Sequence, residues 1–470
     1  MRAVSDSRSE PVEVSSSAEM HEPSLAAKSD DRSGIGGHPA GLTTLFLTEM
    51  WERFSYYGMR ALLVLYMVAP AAGGGLGFEV SKATRIYGMY TGAVYFTNIF
   101  GGLLADRFFG ARLAVLLGGI IIACGHFSMA LQAWPPSFYL GIFLIVIGTG
   151  LLKPNISVMV GKLYRDDDPR RDSGFSIFYM GINLGGMIAP LICGYIGQRI
   201  DWHLGFATAG VGMTLGLTQY VLHRKRLVHV GGRPQKRTKP QAGEAPALIT
   251  KLTSEDKSRL GVVVLLCFFA LLFWTAFEQS GSSFNLFAER HTSTDLLGLS
   301  FPSSWFQSVN SIFILALAPV FSMIWLRLGR RQPSSPIKFT FGLLFVSAGM
   351  FVMAIASLWI GAGKVSPLWL IAVYFIHTVG ELCLSPVGLS TVTKLSPARM
   401  VGLMMGVWFL AASFGSYLAG WAAGFYQDDS HTLFRLFGSL GLLTLIGAVF
   451  LFLLVPFAKR LTERRLGTPA

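Results

Sequence analysis

Residues 42–69 read LTTLFLTEMWERFSYYGMRALLVLYMVA. The stretch is apolar enough, and long enough, to cross a bilayer as a helix, which takes roughly 20 residues. Yet it carries Glu49, Glu52, Arg53 and Arg60. Counted from Glu49, the residues Glu52, Arg53, Tyr56, Tyr57 and Arg60 fall at i+3, i+4, i+7, i+8 and i+11, one face of an α-helix. A charge at the centre of a lone spanning helix costs about 2.5–3.5 kcal/mol on insertion scales. Four of them approach what the apolar residues return at about 0.3–0.6 kcal/mol each. The charged face therefore belongs in a polar protein interior and needs partners from other spans. Structural salt bridges between helices would meet that need. So would a working site, which is the default reading of ionisable groups inside a membrane.

The rest of the chain supplies the other spans. Of 470 residues, 52% are hydrophobic and 14% charged, with mean hydropathy +0.51. Soluble proteins carry about 25% charged residues, so lipid must be the solvent for much of this chain. Twelve runs are apolar enough to span, at about 42–70, 84–108, 112–133, 137–163, 172–197, 204–223, 260–287, 301–328, 336–361, 366–395, 399–426 and 432–458. The expected fold is an all-α polytopic membrane protein of twelve transmembrane helices in two six-helix bundles.

Loop charges orient it. One side receives Arg107, Arg112, Lys162, Arg165, Arg170 and Arg171, then Arg327, Arg330, Arg331 and Lys338, then Lys394 and Arg399, and finally Lys459, Arg460, Arg464 and Arg465. The other side holds only Lys82, Arg199, Arg290 and Lys364, with Asp428 and Asp429 near Arg435. The positive-inside rule puts both termini in the cytoplasm, as an even number of spans also requires. The net charge of +13 is explained by these loops, and nucleic-acid binding is not expected. Residues 1–40 read as a disordered cytoplasmic tail without an apolar leader. Residues 41–223 form the first bundle and 260–458 the second. The polar segment 224–259, rich in Lys and Arg, is a cytoplasmic linker too short in apolar length to span, and 459–470 is a tail. Cys124, Cys193, Cys267 and Cys383 all sit in apolar runs and are expected as unpaired thiols, with no metal site.

Polar groups recur inside other spans: Tyr95 in the second, Lys153-Pro154-Asn155 in the fourth, Tyr179 and Asn183 beside Gly181, Gly185 and Gly186 in the fifth, Trp274 and Glu278 in the seventh, Asn310 in the eighth, Glu381 and Ser385 in the tenth. Trp274 and Glu278, like Glu381 and Ser385, are i, i+4 pairs sharing a face. This set suits a zwitterion with an amide backbone. Arg60 and Lys153 can hold a carboxylate and Glu381 an ammonium. Asn183 and Asn310 can satisfy peptide N–H and C=O groups, while Tyr57, Tyr95, Tyr179 and Trp274 offer apolar walls with polar tips. Protonating a buried carboxylate releases its cationic partner, which ties proton entry to rearranged salt bridges. No GxxxxGK[ST], GxSxG, HExxH or GxGxxG site occurs, so neither ATP-driven pumping nor an enzyme is expected, and no cofactor beyond the proton gradient.

In this order the residues resemble the proton-dependent oligopeptide transporter family of the major facilitator superfamily. Glu49-Met-Trp-Glu52-Arg53-Phe-Ser-Tyr-Tyr-Gly58 is similar to the family's ExxER run with its trailing FxYYG. Gly102-Leu-Leu-Ala-Asp106-Arg107, with Gly110 and Arg112, resembles the superfamily's loop motif between helices two and three. Phe178-Tyr179-Met-Gly-Ile-Asn183-Leu-Gly185 resembles the fifth-helix signature. Phe273-Trp274-Thr-Ala-Phe-Glu278-Gln279, Trp305-Phe306-Gln307-Ser308-Val-Asn310 and Gly380-Glu381-Leu-Cys-Leu-Ser385-Pro386 match motifs of the second bundle. The likeness runs from about Leu42 to about Phe457.

The resemblance implies proton-coupled uptake of di- and tripeptides across a bacterial-type inner membrane, with peptide, protons and lipid as the partners and no obligate protein partner. It implies that Glu49, Glu52 and Arg53 couple protons together with Lys153 and Glu278. Arg60 and Glu278 would close the periplasmic gate, and Arg60 would bind the peptide carboxylate once Glu278 is protonated. Lys153 and Glu381 would form the cytoplasmic gate, with Glu381 receiving the peptide amino terminus. Tyr57, Tyr95, Tyr179, Asn183, Trp274, Asn310 and Ser385 would line the pocket. Two departures stand out: 224–259 has no room for the extra helical pair of many bacterial members, and Gly185-Gly186 stands where Gly-Ser is common. The second span lacks the histidine of the animal branch, and His126 and His377 are expected as core residues. Uptake of nitrate or another small anion on the same fold is the alternative, although it leaves Glu381 without a ligand.

Overall fold

A computed structural model describes residues 31–131, 136–165, 167–232, 252–296, 298–361, 363–397 and 400–463. The expected tail up to residue 30, the middle of the linker at 233–251 and the end from 464 lie outside the described residues, as does Arg399.

Lipid offers no partner for a bare backbone group, so every crossing is helical. The helices are α1 (Ala40–Val68), α2 (Val80–Leu104), α3 (Ala111–Met129), α4 (Pro136–Lys162), α5 (Arg171–Arg199) and α6 (Trp202–Leu222), followed by α7 (Ser254–Phe277), α8 (Ser283–His291), α9 (Phe306–Leu328), α10 (Ser335–Ser357), α11 (Pro367–Leu395), α12 (Val401–Ala423) and α13 (Ser430–Glu463). They make twelve crossings in two six-helix bundles, because α7 and α8 share the seventh. A two-strand hairpin, β1 (Asp295–Leu296) against β2 (Leu299–Ser300), lies in the loop before α9.

Where the helices differ from the apolar runs, the cause is local chemistry. The seventh crossing is not one helix: a 3-10 turn over Glu278–Gly281 and Ser282 at φ −122°, ψ −93° interrupt it. Helix α7 begins inside the expected linker, at Ser254, because Thr253 and Asp256 form a reciprocal capping box there. Its polar first turns extend past the apolar run, which is why hydropathy starts the span late. Nine crossings are apolar enough to span by composition among the described residues; α1, α2 and α6 are more polar. In α1 that polarity is the charged face itself.

Within the first bundle α1 packs on α5 and α6, and α4 on α2 and α3. In the second, α10 packs on α11 and α13, and α7 on α12. The bundles meet along two seams, α2 with α12 and α5 with α9. Glycines set these distances. A Cβ on Gly185 would sit 2.3 Å from the Met50 carbonyl oxygen and 3.0 Å from the Arg53 Cβ, so α5 lies directly on the charged turn of α1. Across the α2–α12 seam a Cβ on Gly420 would lie 2.4 Å from the Gly88 Cα. At Gly186 it would meet the Ser311 hydroxyl of α9 at 2.6 Å, so the second glycine of Gly185-Gly186 makes room for a hydroxyl from the opposite bundle.

Candidate functional site: a charged seam between the bundles

The charged face of α1 is buried, as its cost requires. Glu49, Glu52, Arg53 and Arg60 are at most 7% exposed. Arg53 binds both neighbouring carboxylates: its Nη2 donates to Glu52 Oε1 at 2.6 Å, its Nε donates to Glu52 Oε2, and Nε stands 3.4 Å from Glu49 Oε1. Its guanidinium also lies 4.8 Å from the Tyr56 ring centroid. Glu49 Oε2 is buried and has no hydrogen-bond partner. Two acids against one base leave this cluster able to take up a proton without losing its last ion pair. Among the described ion pairs none joins Lys153 of α4 to this cluster; its ammonium lies 5.0 Å from the Tyr95 ring centroid.

About two turns beyond Arg53 along α1, Arg60 crosses the seam. Its Nη2 donates to Glu278 Oε2 at 2.6 Å and to the Ser280 hydroxyl at 3.2 Å, while its Nε donates to the Tyr87 hydroxyl at 2.7 Å. The break between α7 and α8 delivers Glu278 and Ser280 to this point. Gly281 is required beside them, since a Cβ there would stand 1.8 Å from the Tyr87 oxygen and 2.8 Å from Arg60 Nε.

More cross-bundle bonds lie on this same side, away from the termini. Asn285 donates to the Ala61 carbonyl at 2.8 Å. Gln198 donates to Glu289 and Ser303, both at 2.9 Å, and Arg199 to Ser300 at 2.9 Å. Nearer mid-membrane, Ser308 donates to the Met187 carbonyl and Ser413 to the Gly92 carbonyl, each at 2.7 Å. The side opposite the termini is thus sealed.

The second expected gate is not engaged. Among the described ion pairs none joins Lys153 to Glu381; Glu381 instead accepts from Asn310 Nδ2 at 3.1 Å, and the same amide donates to the Thr378 hydroxyl at 3.0 Å. A molecule sealed on one side has this pair apart on the other if the two gates alternate. The remaining pocket residues converge in part. The Tyr57 ring centroid lies 5.9 Å from the Arg60 guanidinium carbon. Trp274 Nε1 and the Ser385 hydroxyl are buried without partners, which leaves both free for a ligand. Asn183 spends its amide on the Tyr179 carbonyl at 3.0 Å, and Tyr179 is exposed.

Tyr87, Ser280 and Asn285 are site residues that sequence reasoning did not single out. Their only signal is polarity inside apolar helices. His126 and His377 are both at most 2% exposed, and His377 stacks on Phe277 and lies tilted against Phe284, as expected of core residues. The four cysteines are free thiols.

The family model described as POT family matches residues 112–242 and 233–440. The chain belongs to the POT family. It is 40% identical to the peptide transporter YePEPT of Yersinia enterocolitica over 92% of this chain and 96% of that one. It is 36% identical to the di-/tripeptide transporter of Lactococcus lactis subsp. cremoris over 91% and 98%. Among solved structures, a variant of peptide transporter POT in complex with alafosfalin superposes with a TM-score of 0.85 at 39% identity, covering 93% of this chain and 98% of that one. As a POT member the chain is a transporter of the major facilitator fold and not an enzyme.

Proposed function

We propose that the chain is a proton-coupled symporter carrying di- and tripeptides into the cytoplasm by alternating access. The observation that carries the reading is the Arg60–Glu278 pair, which locks one bundle to the other on the side away from the termini. A buried ion pair broken by removing one charge costs about 3–5 kcal/mol. Protonating Glu278 removes that charge, so a proton unlocks this side and frees Arg60 for the peptide carboxylate. Lys153 supplies a second cation, and Glu381, held by Asn310, receives the ammonium. Trp274, Ser385, Tyr57, Tyr95, Tyr179 and Asn183 surround the backbone and side chains. The peptide-transporting relatives, and the solved complex of a similar peptide transporter with alafosfalin, support the substrate class. An inorganic anion such as nitrate would leave Glu381 with no ligand.

In this cycle Glu49, Glu52 and Arg53 form the proton relay on α1, with Lys153 shifting between them and Glu381. The functional halves are 41–223 and 260–458, joined by the basic segment 224–259. Both termini lie in the cytoplasm, where the Lys- and Arg-rich loops put them, and the membrane is the inner one of a bacterial-type cell.

Purified protein in liposomes tests this. An inward proton gradient should drive dipeptide uptake, and Glu52→Gln or Arg53→Ala should abolish the drive. Full gradient-driven uptake in either variant would remove the relay from α1.

A further inference from the structure

We propose that a groove between α9, α11 and the start of α10 is a binding site for one anionic phospholipid of the cytoplasmic leaflet. The leaflet named here rests on the orientation given above. The groove has a volume of ≈ 590 Å³ and is divided by polarity along its length. Toward mid-membrane its walls are Phe321, Leu382 and Val387, with Tyr179 of α5 in the opposite bundle also in the lining; toward the termini side they are Ser334, Lys338 and Lys394.

The cationic end lacks an anion. Lys338, in the first turn of α10, is only 8% exposed. Its ammonium donates to the neutral Gln332 Oε1 at 2.9 Å and lies 4.2 Å from the Trp325 ring centroid. Lys394, in the last turn of α11, faces the same groove. Among the described ion pairs neither lysine has a carboxylate. The Ser334 hydroxyl beside them is buried, has no partner and does not cap α10. A cation so buried is costly unless paired, and an orphaned donor beside it points the same way. Both are satisfied by phosphate oxygens.

The apolar end selects the source of that phosphate. Free phosphate would fill the lysine end and leave the Phe321–Leu382 end without a partner. A phospholipid fills both, with its headgroup at the helix ends and an acyl chain running toward mid-membrane. Basic sites at the cytoplasmic ends of spanning helices attract anionic headgroups.

Trp325 is the reporter. The full-length protein is reconstituted with brominated phosphatidylglycerol or brominated phosphatidylcholine, and quenching of Trp325 is taken as the difference between wild type and Trp325→Phe. The anionic lipid should quench at a lower mole fraction, and Lys338→Gln or Lys394→Gln should each weaken that preference about fivefold, with Lys338→Arg retaining it. Equal quenching by the two lipids, or a preference intact in Lys338→Gln, overturns the proposal. So does loss of the preference on adding inorganic phosphate, which would assign the lysines to the free ion. Quenching is read without any peptide or proton gradient, so its failure is separate from a failure of transport.

Discussion

Arg60 on α1 and Glu278 at the break in the seventh crossing meet at 2.6 Å, and they come from opposite bundles. Each is under a tenth exposed, so neither charge can turn to water when the other is lost. Glu278→Gln therefore removes the one charge pair among the described bonds that close the far side deep in the seam, leaving Asn285, Gln198 and Arg199 to bridge it. At about 3–5 kcal/mol, the sealed state should lose more than about a hundredfold in population against the open one. Spin labels on Ala72 and Leu299, exposed on the far ends of the two bundles, should report a longer distance in the variant than in the parent. An unchanged distance distribution would mean that the other far-side bonds suffice.

The break itself makes a second prediction. Gly281→Ala places a methyl against the Tyr87 hydroxyl and Arg60 Nε, and overpacking of this kind costs about 1–3 kcal/mol. The melting temperature should fall. Adding Tyr87→Phe removes the oxygen that the methyl meets, so the double variant should melt higher than the two separate losses sum to. Strict additivity would show that the clash is relieved elsewhere.

These two positions mark how far the sequence could be read. The crossings are legible because the bilayer imposes length and apolarity on each, whereas α7 starts ahead of its apolar run because the Thr253–Asp256 cap carries it there. The α1 face is legible because four charges in one span admit no lipid-facing arrangement. Arg60 with Glu278, 218 positions apart, followed from the need for a partner together with a family likeness. Tyr87 and Gly281 did not, since neither is unusual in its own helix and each matters only once α2 and the seventh crossing meet. Lys153 and Glu381 were expected as a pair, but among the described ion pairs none joins them; one sequence encodes every state of a transporter, so it does not say which state has them together.

Glu381 offers a test of the substrate's orientation. If its carboxylate holds the peptide ammonium, Glu381→Gln loses a charge-assisted hydrogen bond worth about 1.5–3 kcal/mol. Binding of a free dipeptide should then weaken about tenfold or more, while an N-acetylated dipeptide should bind parent and variant alike. Calorimetry with both ligands decides it. Equal weakening of the two would move the ammonium site elsewhere.

The segment before α1 is fastened to the α4–α5 loop, and acid should loosen it. His38 Nδ1 and the Tyr164 hydroxyl share a hydrogen bond of 2.8 Å, and the Ser173 hydroxyl lies 3.4 Å from Nε2. Arg170 donates to the carbonyls of Asp31 and Gly37, each at 3.2 Å, and pairs with Asp168 at 3.0 Å. Burial, and then the Arg170 charge, hold the His38 imidazole below its usual 6.5, against a smaller opposing pull from Asp168. Asp168 is itself held below the usual 3.8, foremost by its hydrogen bond with Arg170. The fastened form binds the proton less well than the released one. Its stability is therefore intact above the unfolded value of 6.5 and is lost as pH falls through the lower folded value. Amide-exchange protection of residues 33–39 should drop across that window in the parent, and His38→Gln should flatten the dependence. Protection that stays constant in the parent down to about pH 4, where carboxylates begin to titrate, would show that Arg170 alone holds the segment.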